Sequence, residues 1–326
     1  MSSCISSTTS GACSTRSTTC LNRSSWVTYE WELGCGVVAW GSVICEEEAA
    51  IGSGTSLADY ERREWAHAYA ESSDGVPWEK PKLGMVEWRG SKENNVFLRL
   101  DAPVQPPGNV NAMDSYTMVR DDDAPAAERY KLIAFAHDNR MWARAYPDQH
   151  DRYISDEEIE LTSQSSGLHL MSSAEGIHFN GKPELLQKTH GDYRKVIRDY
   201  RNQRWTLNTR VPPYRNEASG HKSRRNVGLA TSTDLRNWSP IDSLFLNDVD
   251  TAFGRLWEWH GLTPFNYGNQ DLGLLDIQDS VFPAGICELV SHRDGQRWQQ
   301  VMPGRYFMDN GPEGSYYRAG GMPCSQ

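Results

Sequence analysis

Several features that would fix the class of this chain at once are missing from it. There is no apolar run of about 18 residues or more, so no helical membrane span is read. The N-terminus has no basic stretch followed by an apolar one, so no signal peptide is read and a cytoplasmic location is the default expectation. The seven cysteines include no C-x-x-C pair, so neither a zinc site nor any other metal or cofactor is expected. Five of them (Cys4, Cys13, Cys20, Cys35, Cys45) fall in the first 45 residues, leaving Cys287 and Cys324. A disulfide framework stays open, with the odd count against it. No Gly-rich phosphate loop and no nucleophile elbow occur. Basic residues are outnumbered 33 to 43, for a net charge of −10. Phosphate binding wants a basic face, so nucleic acid is not expected as a partner. Helical periodicity is also scarce, and only Asp156 to Gln164 reads as a short helix.

What the chain does have is a repeat. Four segments share a Ser-x-acid-Gly-x-x-aromatic core: Ser72 to Trp78, Ser173 to Phe179, Ser232 to Trp238 and His292 to Trp298. Leu235 replaces the glycine in the third, and His292 the serine in the fourth. The aromatic positions 78, 179, 238 and 298 are 101, 59 and 60 residues apart. A spacing near 60 suits a four-stranded antiparallel unit with its loops, and the longer first gap holds an insertion. The motif reads as a tight turn: glycine supplies positive φ, while the carboxylate and hydroxyl accept backbone N–H bonds. The aromatic is expected to start the next strand and to pack between units. The motif is therefore scaffolding rather than chemistry.

The flanks of these turns read as strands: Arg129–Phe135, Arg204–Arg210, Val227–Thr231 and Leu272–Ile277 are short and β-rich. The fold class is all-β. The 12 tryptophans suit either blade cores or flat surfaces on which sugars stack.

The stretch Tyr69 to Gly84, with Gly90 to Val96, resembles the five-bladed β-propeller glycoside hydrolases, relatives of families 32, 43 and 68 with many bacterial members. Arg129 to Ile133, His190-Gly-Asp192, Gly228 to Trp238 and Asp294 to Trp298 resemble them too. The resemblance covers about residues 36–48 and 58–326. It implies a five-bladed propeller of four-stranded antiparallel blades and hydrolysis of a terminal glycosidic bond in an axial pocket. It also implies an oligosaccharide or glycoside as partner, and acidic residues on the innermost strands. Two carboxylates must flank the bond, one protonating the leaving oxygen and one activating water or attacking.

Both ends depart from that pattern. Half of residues 1–30 are Ser or Thr, and no acidic residue precedes Glu30. The expected domains are an irregular leader over 1–30 and a propeller over 31–326. The first blade is expected to be irregular, without its carboxylate. In the other reading frame Ile5 to Thr9 can encode an apolar–apolar–Asp-Asp strand, and Cys20 to Thr28 and Ala49 to Ser56 can encode further family-like strands. We therefore expect a frame slip before about residue 29 and another across about 49–57, which the coding DNA tests. The other reading is a native Ser/Thr-rich leader. As written, Ala49 to Thr55 is a poor strand. Gly311 to Met322 reads as the start of another blade's inner strand, so the last blade is expected to be incomplete.

The candidate catalytic carboxylates are Asp192, ahead of a β-rich run, and Glu258, between Trp257 and Trp259. Desolvation between two tryptophans would raise the pKa of Glu258, as a general acid requires. Asp248 and Asp250 are alternatives in a loop-like stretch, and Asp121 to Asp123 read as a solvated charge run. His190, Arg194, His260 and Trp40 are candidate substrate-binding residues. Two competing readings are a catalytically inactive carbohydrate-binding propeller, since the first-blade carboxylate is absent, and a sialidase-type propeller, which needs an arginine cluster that the sequence does not display.

Overall fold

The computed structural model describes residues 30–32, 36–38, 41–45, 50–59, 64–74, 76–100, 112–138, 155–179, 181–189, 194–211, 226–244, 257–279, 285–292 and 298–307. Its strands fall into four antiparallel sheets. The first holds β1 (Gly36–Val38), β2 (Ser42–Cys45), β3 (Ala50–Asp59), β4 (Glu64–Ser72) and β5 (Val96–Leu98). The second runs β6 (Ala112–Arg120), β7 (Tyr130–His137), β8 (Gly167–Ser173) and β9 (Glu184–Lys188) in order. The third runs β10 (Arg194–Asp199), β11 (Arg204–Val211), β12 (Asn226–Ser232) and β13 (Asp242–Leu244). The fourth runs β14 (Trp257–Tyr267), β15 (Gln270–Asp279), β16 (Gly285–His292) and β17 (Gln299–Gln300). Among the described residues one α-helix, α1 (Asp156–Ser165), lies where the sequence reads one, between β7 and β8. It is too short to cross a membrane, and no helix among the described residues is long and apolar enough to do so.

The sheets are blades set side by side. The leading strands meet in series, β2 against β6, β6 against β10 and β10 against β14. The seams carry the apolar core. Tyr69 and Phe97 of the first blade pack with Met113, Tyr116 and Leu132 of the second. Ile133 and Leu170 meet Val196, Trp205 and Leu207 of the third. Val227 meets Leu262, Leu275 and Val290 of the fourth. Trp205 and Trp298 are buried in these seams, and Trp88 in a cluster within the first blade. This is the all-β architecture expected from the repeat, with four strands in three of the described sheets and five in the first. A fifth blade, the leader and the chain's last stretch lie outside the described residues.

The turn motif works as the sequence predicts. Ser232 Oγ donates to Asp234 Oδ1 at 3.0 Å, and that carboxylate accepts the backbone N–H groups of Arg236 and Asn237 at 2.9 and 2.7 Å. These bonds, the Asn237 N–H first among them, hold the Asp234 carboxyl well below the usual carboxylate range. In the second copy Ser173 Oγ accepts from the Gly176 N–H at 2.9 Å, and Gly176 has φ +84°. Leu235, at the glycine position of the third copy, has φ +62°. The aromatics of the second, third and fourth copies pack between blades: Phe179 against the core between the first and second, Trp238 against that between the second and third, and Trp298 within that between the third and fourth. Only Trp298 sits next to a fourth strand; the others lie in the preceding loop, where the turn needs further residues before the chain re-enters the sheet.

One expectation is corrected. Ala49 to Thr55 reads as a poor strand, yet all of it but Ala49 belongs to β3 (Ala50–Asp59). It pairs with β4 on one edge and with β1 and β2 on the other. Pairing on both edges overrides the weak propensity of glycine and serine. An irregularity between Gly52 and Thr55 absorbs the small residues, and Leu57 beyond it is fully buried. Cys287, buried on β16, is disulfide-bonded.

Candidate functional site

Buried charge gathers near the leading ends of the third and fourth blades. β10 begins at Arg194, which is fully buried. Its Nη1 donates to Thr209 Oγ1 on β11, and its guanidinium lies 5.4 Å from the Phe135 ring of the second blade. Arg194 thus packs across the seam into β7, beside the stacked pair Phe135 and His137. His137 pairs with Ala112, the first residue of β6, so the leading end of the second blade is part of the same neighbourhood. His169, on β8, places Nδ1 3.0 Å from the Gly167 carbonyl, and burial pushes its pKa down.

Arg210 stands one residue beyond Thr209, which pairs with Arg194. It is almost buried and crosses the next seam, placing Nη1 3.2 Å from His260 Nε2 on β14. His260 sits at an irregularity of that strand: Trp259 pairs with Ile277 and Gly261 with Asp276, leaving His260 out of register. Asp276 is fully buried, and neither carboxylate oxygen has a hydrogen-bond partner among the described residues. Burial pushes its pKa up to about 7, against a smaller downward pull from the Arg210 guanidinium. One contact therefore joins the trailing end of β11, beside the start of β10, to the first few residues of β14.

The seams nearer the first blade are polar too. Thr117 Oγ1 on β6 donates to the Arg194 carbonyl at 2.7 Å and accepts from the Val196 N–H at 3.3 Å. Lys195, the residue after Arg194, reaches the Gly41 carbonyl of the first blade at 3.0 Å. Burial draws its pKa down to about 8.

Of the residues singled out in the sequence, Arg194 and His260 come into this neighbourhood. Glu258 lies on β14, paired by backbone with Gln278. Asp192, His190 and Trp40 lie outside the described residues, as do Asp248 and Asp250. β10 starts two residues after Asp192. Lys195, Arg210 and Asp276 were missed. Asp276 had a signal, as the lone acid in the apolar run Leu272 to Ile277. Among the described residues no cluster of three or more His, Cys, Asp or Glu side chains is arranged to hold a metal ion.

No family model and no curated protein sequence matches the chain. Solved structures do. A glycoside hydrolase superposes with a TM-score of 0.54 at 9% identity, covering 85% of this chain and 75% of its own. The chain shares the fold of that glycoside hydrolase. BT0996, solved as a complex with RGII, superposes with a TM-score of 0.52, also at 9% identity and over the same shares of the two proteins. The likeness extends across the blades and is one of fold.

Proposed function

We propose that this glycoside hydrolase-like propeller binds a sugar chain at the leading ends of its inner strands and hydrolyses a terminal glycosidic bond there. Asp192 and Glu258 are the paired carboxylates, with His190, Arg194, His260 and Trp40 as sugar contacts. The observation that carries the reading is the 3.2 Å contact between Arg210 and His260. It supports the reading because it links the end of β11, paired with the start of β10 just after Asp192, to β14, which holds Glu258. A carboxyl between Trp257 and Trp259 suits a general acid, and an ionised partner suits a base or nucleophile. The fold shared with a glycoside hydrolase agrees with this chemistry.

A second reading, a propeller that binds carbohydrate without cleaving it, rests on the first blade. Neither β1 nor β2 contains an acidic residue, so neither supplies the third carboxylate. A panel of aryl glycosides separates the two. The hydrolytic reading expects turnover by the chain, or by a version with the restored frame. Asp192→Asn and Glu258→Gln should each lower kcat/KM on the order of 10²–10⁴-fold. Binding of oligosaccharides without turnover in both versions supports the second reading. Neither binding nor turnover in both versions sinks the two together.

A further inference from the structure

The fourth blade breaks a pattern that the other three keep. The first position of the turn motif is the last residue of β4, β8, β12 and β16 in turn. In the first three it is a buried serine facing an uncharged residue across the sheet: Ser72 opposite Ala50, Ser173 opposite Tyr130 and Ser232 opposite Trp205. In the fourth it is His292, and the residue opposite is Asp271. Both are buried, and His292 Nε2 stands 3.5 Å from Asp271 Oδ2. Both positions of the pair therefore differ in this blade, and together they can carry opposite charges.

The surroundings hold that pair in place. Asn266 Nδ2 donates to Asp271 Oδ1 at 2.6 Å, while Oδ2 is the oxygen nearer the imidazole. The Trp298 ring stands edge-on to His292, with centroids 4.2 Å apart. Trp298 is the aromatic of the same motif and belongs to the apolar seam with the third blade. A serine opposite tyrosine or tryptophan carries no charge near neutral pH, whereas histidine changes its charge there. Burial favours the neutral ring and a neighbouring carboxylate the protonated one. The other titratable or charged groups on the elements around the pair are Tyr267 on β14, Glu288 on β16, and Asp199, Arg201 and Arg204 at the β10–β11 turn. Glu288 accepts from Gln300 and the Gly304 N–H, Asp199 pairs with Arg204, and Arg201 donates to the Asn269 carbonyl. Arg293, Asp294 and Arg297, in the motif turn itself, lie outside the described residues.

We propose that His292 and Asp271 form a pH-sensitive lock: proton uptake by His292 completes an ion pair that clasps the β14–β15 hairpin to β16 beside the seam residue Trp298. Acid tightens the fourth blade at this end, and alkali loosens it. The lock does not rest on the carbohydrate reading, although Glu258 stands at the other end of the same hairpin.

Proton uptake is read from the His292 ring signals of histidine-labelled protein between pH 5 and pH 9, assigned through His292→Gln. Asp271→Asn keeps the size of the side chain and should lower the midpoint of that titration by roughly 1 pH unit or more. Asp294→Asn, which removes the carboxylate of the turn, should move it less. A midpoint that Asp271→Asn leaves in place, or that Asp294→Asn moves further, overturns the proposal. The lock itself is read by urea unfolding of the wild type, His292→Gln, Asp271→Asn and the double variant at pH 5 and pH 9. The carboxylate favours the protonated ring in the folded chain, so its contribution is complete below the ~6.5 of a solvated histidine and is lost as pH rises through the folded midpoint. The coupling between the two positions should be favourable at pH 5, about tenfold in the unfolding equilibrium constant for each pH unit of midpoint shift, and close to nil at pH 9. Equal coupling at the two pH values overturns the switch. If Asp271→Asn does not fold, the wild type and His292→Gln decide: the advantage of the wild type should shrink from pH 5 to pH 9, and an unchanged advantage overturns the lock.

Discussion

Lys195 on β10 donates to the Gly41 carbonyl at 3.0 Å, so the third blade grips the first past the inner strand of the second. The contact places an ammonium in a half-buried setting.

That setting makes a pH prediction. Burial brings Lys195 down to about 8, below its ordinary value near ~10.4. Between those two values the unfolded chain holds the proton more tightly than the folded one. Stability contributed at this site therefore rises with pH from about 8 to ~10.4. Urea denaturation at pH 7 and pH 10 should show this rise in the wild type relative to Lys195→Met. An equal pH response in the two proteins would count against the buried ammonium.

Asp276 carries the opposite slope. Burial raises its folded pKa to about 7, above the ~3.9 of a solvated aspartate. Its contribution is fully present below about 4 and is lost as pH rises through about 7. The stability of the wild type relative to Asp276→Asn should fall between pH 4 and pH 8, measured by urea unfolding at several pH values. A flat difference would mean that the carboxyl is solvated or firmly paired.

Leu235 carries backbone strain and burial together. It is fully buried between the second and third blades and has φ +62°. Truncating a buried leucine to alanine costs ~2–5 kcal/mol, whereas the left-handed backbone costs a non-glycine residue ~1–2 kcal/mol. Leu235→Ala should lose most of the packing and keep the strain. Leu235→Gly should lose the packing and shed the strain, so it should be no less stable than Leu235→Ala, reversing the usual order of the two residues. Denaturant midpoints of the two variants decide.

The sequence exposed the turns and the strands beside them because both are local. Asp234 bonds to Ser232, Arg236 and Asn237, all within three residues, so a short motif records the whole structure. The buried cluster is not local. Arg210 and His260 are 50 residues apart and meet only through the packing of two sheets. His260 drew notice for its residue type, while Arg210 passed as an ordinary end to a strand. β3 was obscured for a related reason: Gly52-Ser53-Gly54 lacks strand propensity, and the edges that make it a strand belong to β1, β2 and β4. Lys195 was overshadowed by Arg194, although the two side chains make different contacts, one with Thr209 and the other with Gly41.

The Thr117 hydroxyl, bonded to both the carbonyl of Arg194 and the N–H of Val196, has a consequence for how such a molecule can change. At that seam the neighbouring inner strands are tied by a side chain and not by a backbone ladder. The distance between blades is then a matter of residue size. An altered residue at position 117 can widen or narrow the gap without removing a rung from any sheet. The seam can be retuned one side chain at a time while the blades on either side keep their own pairing.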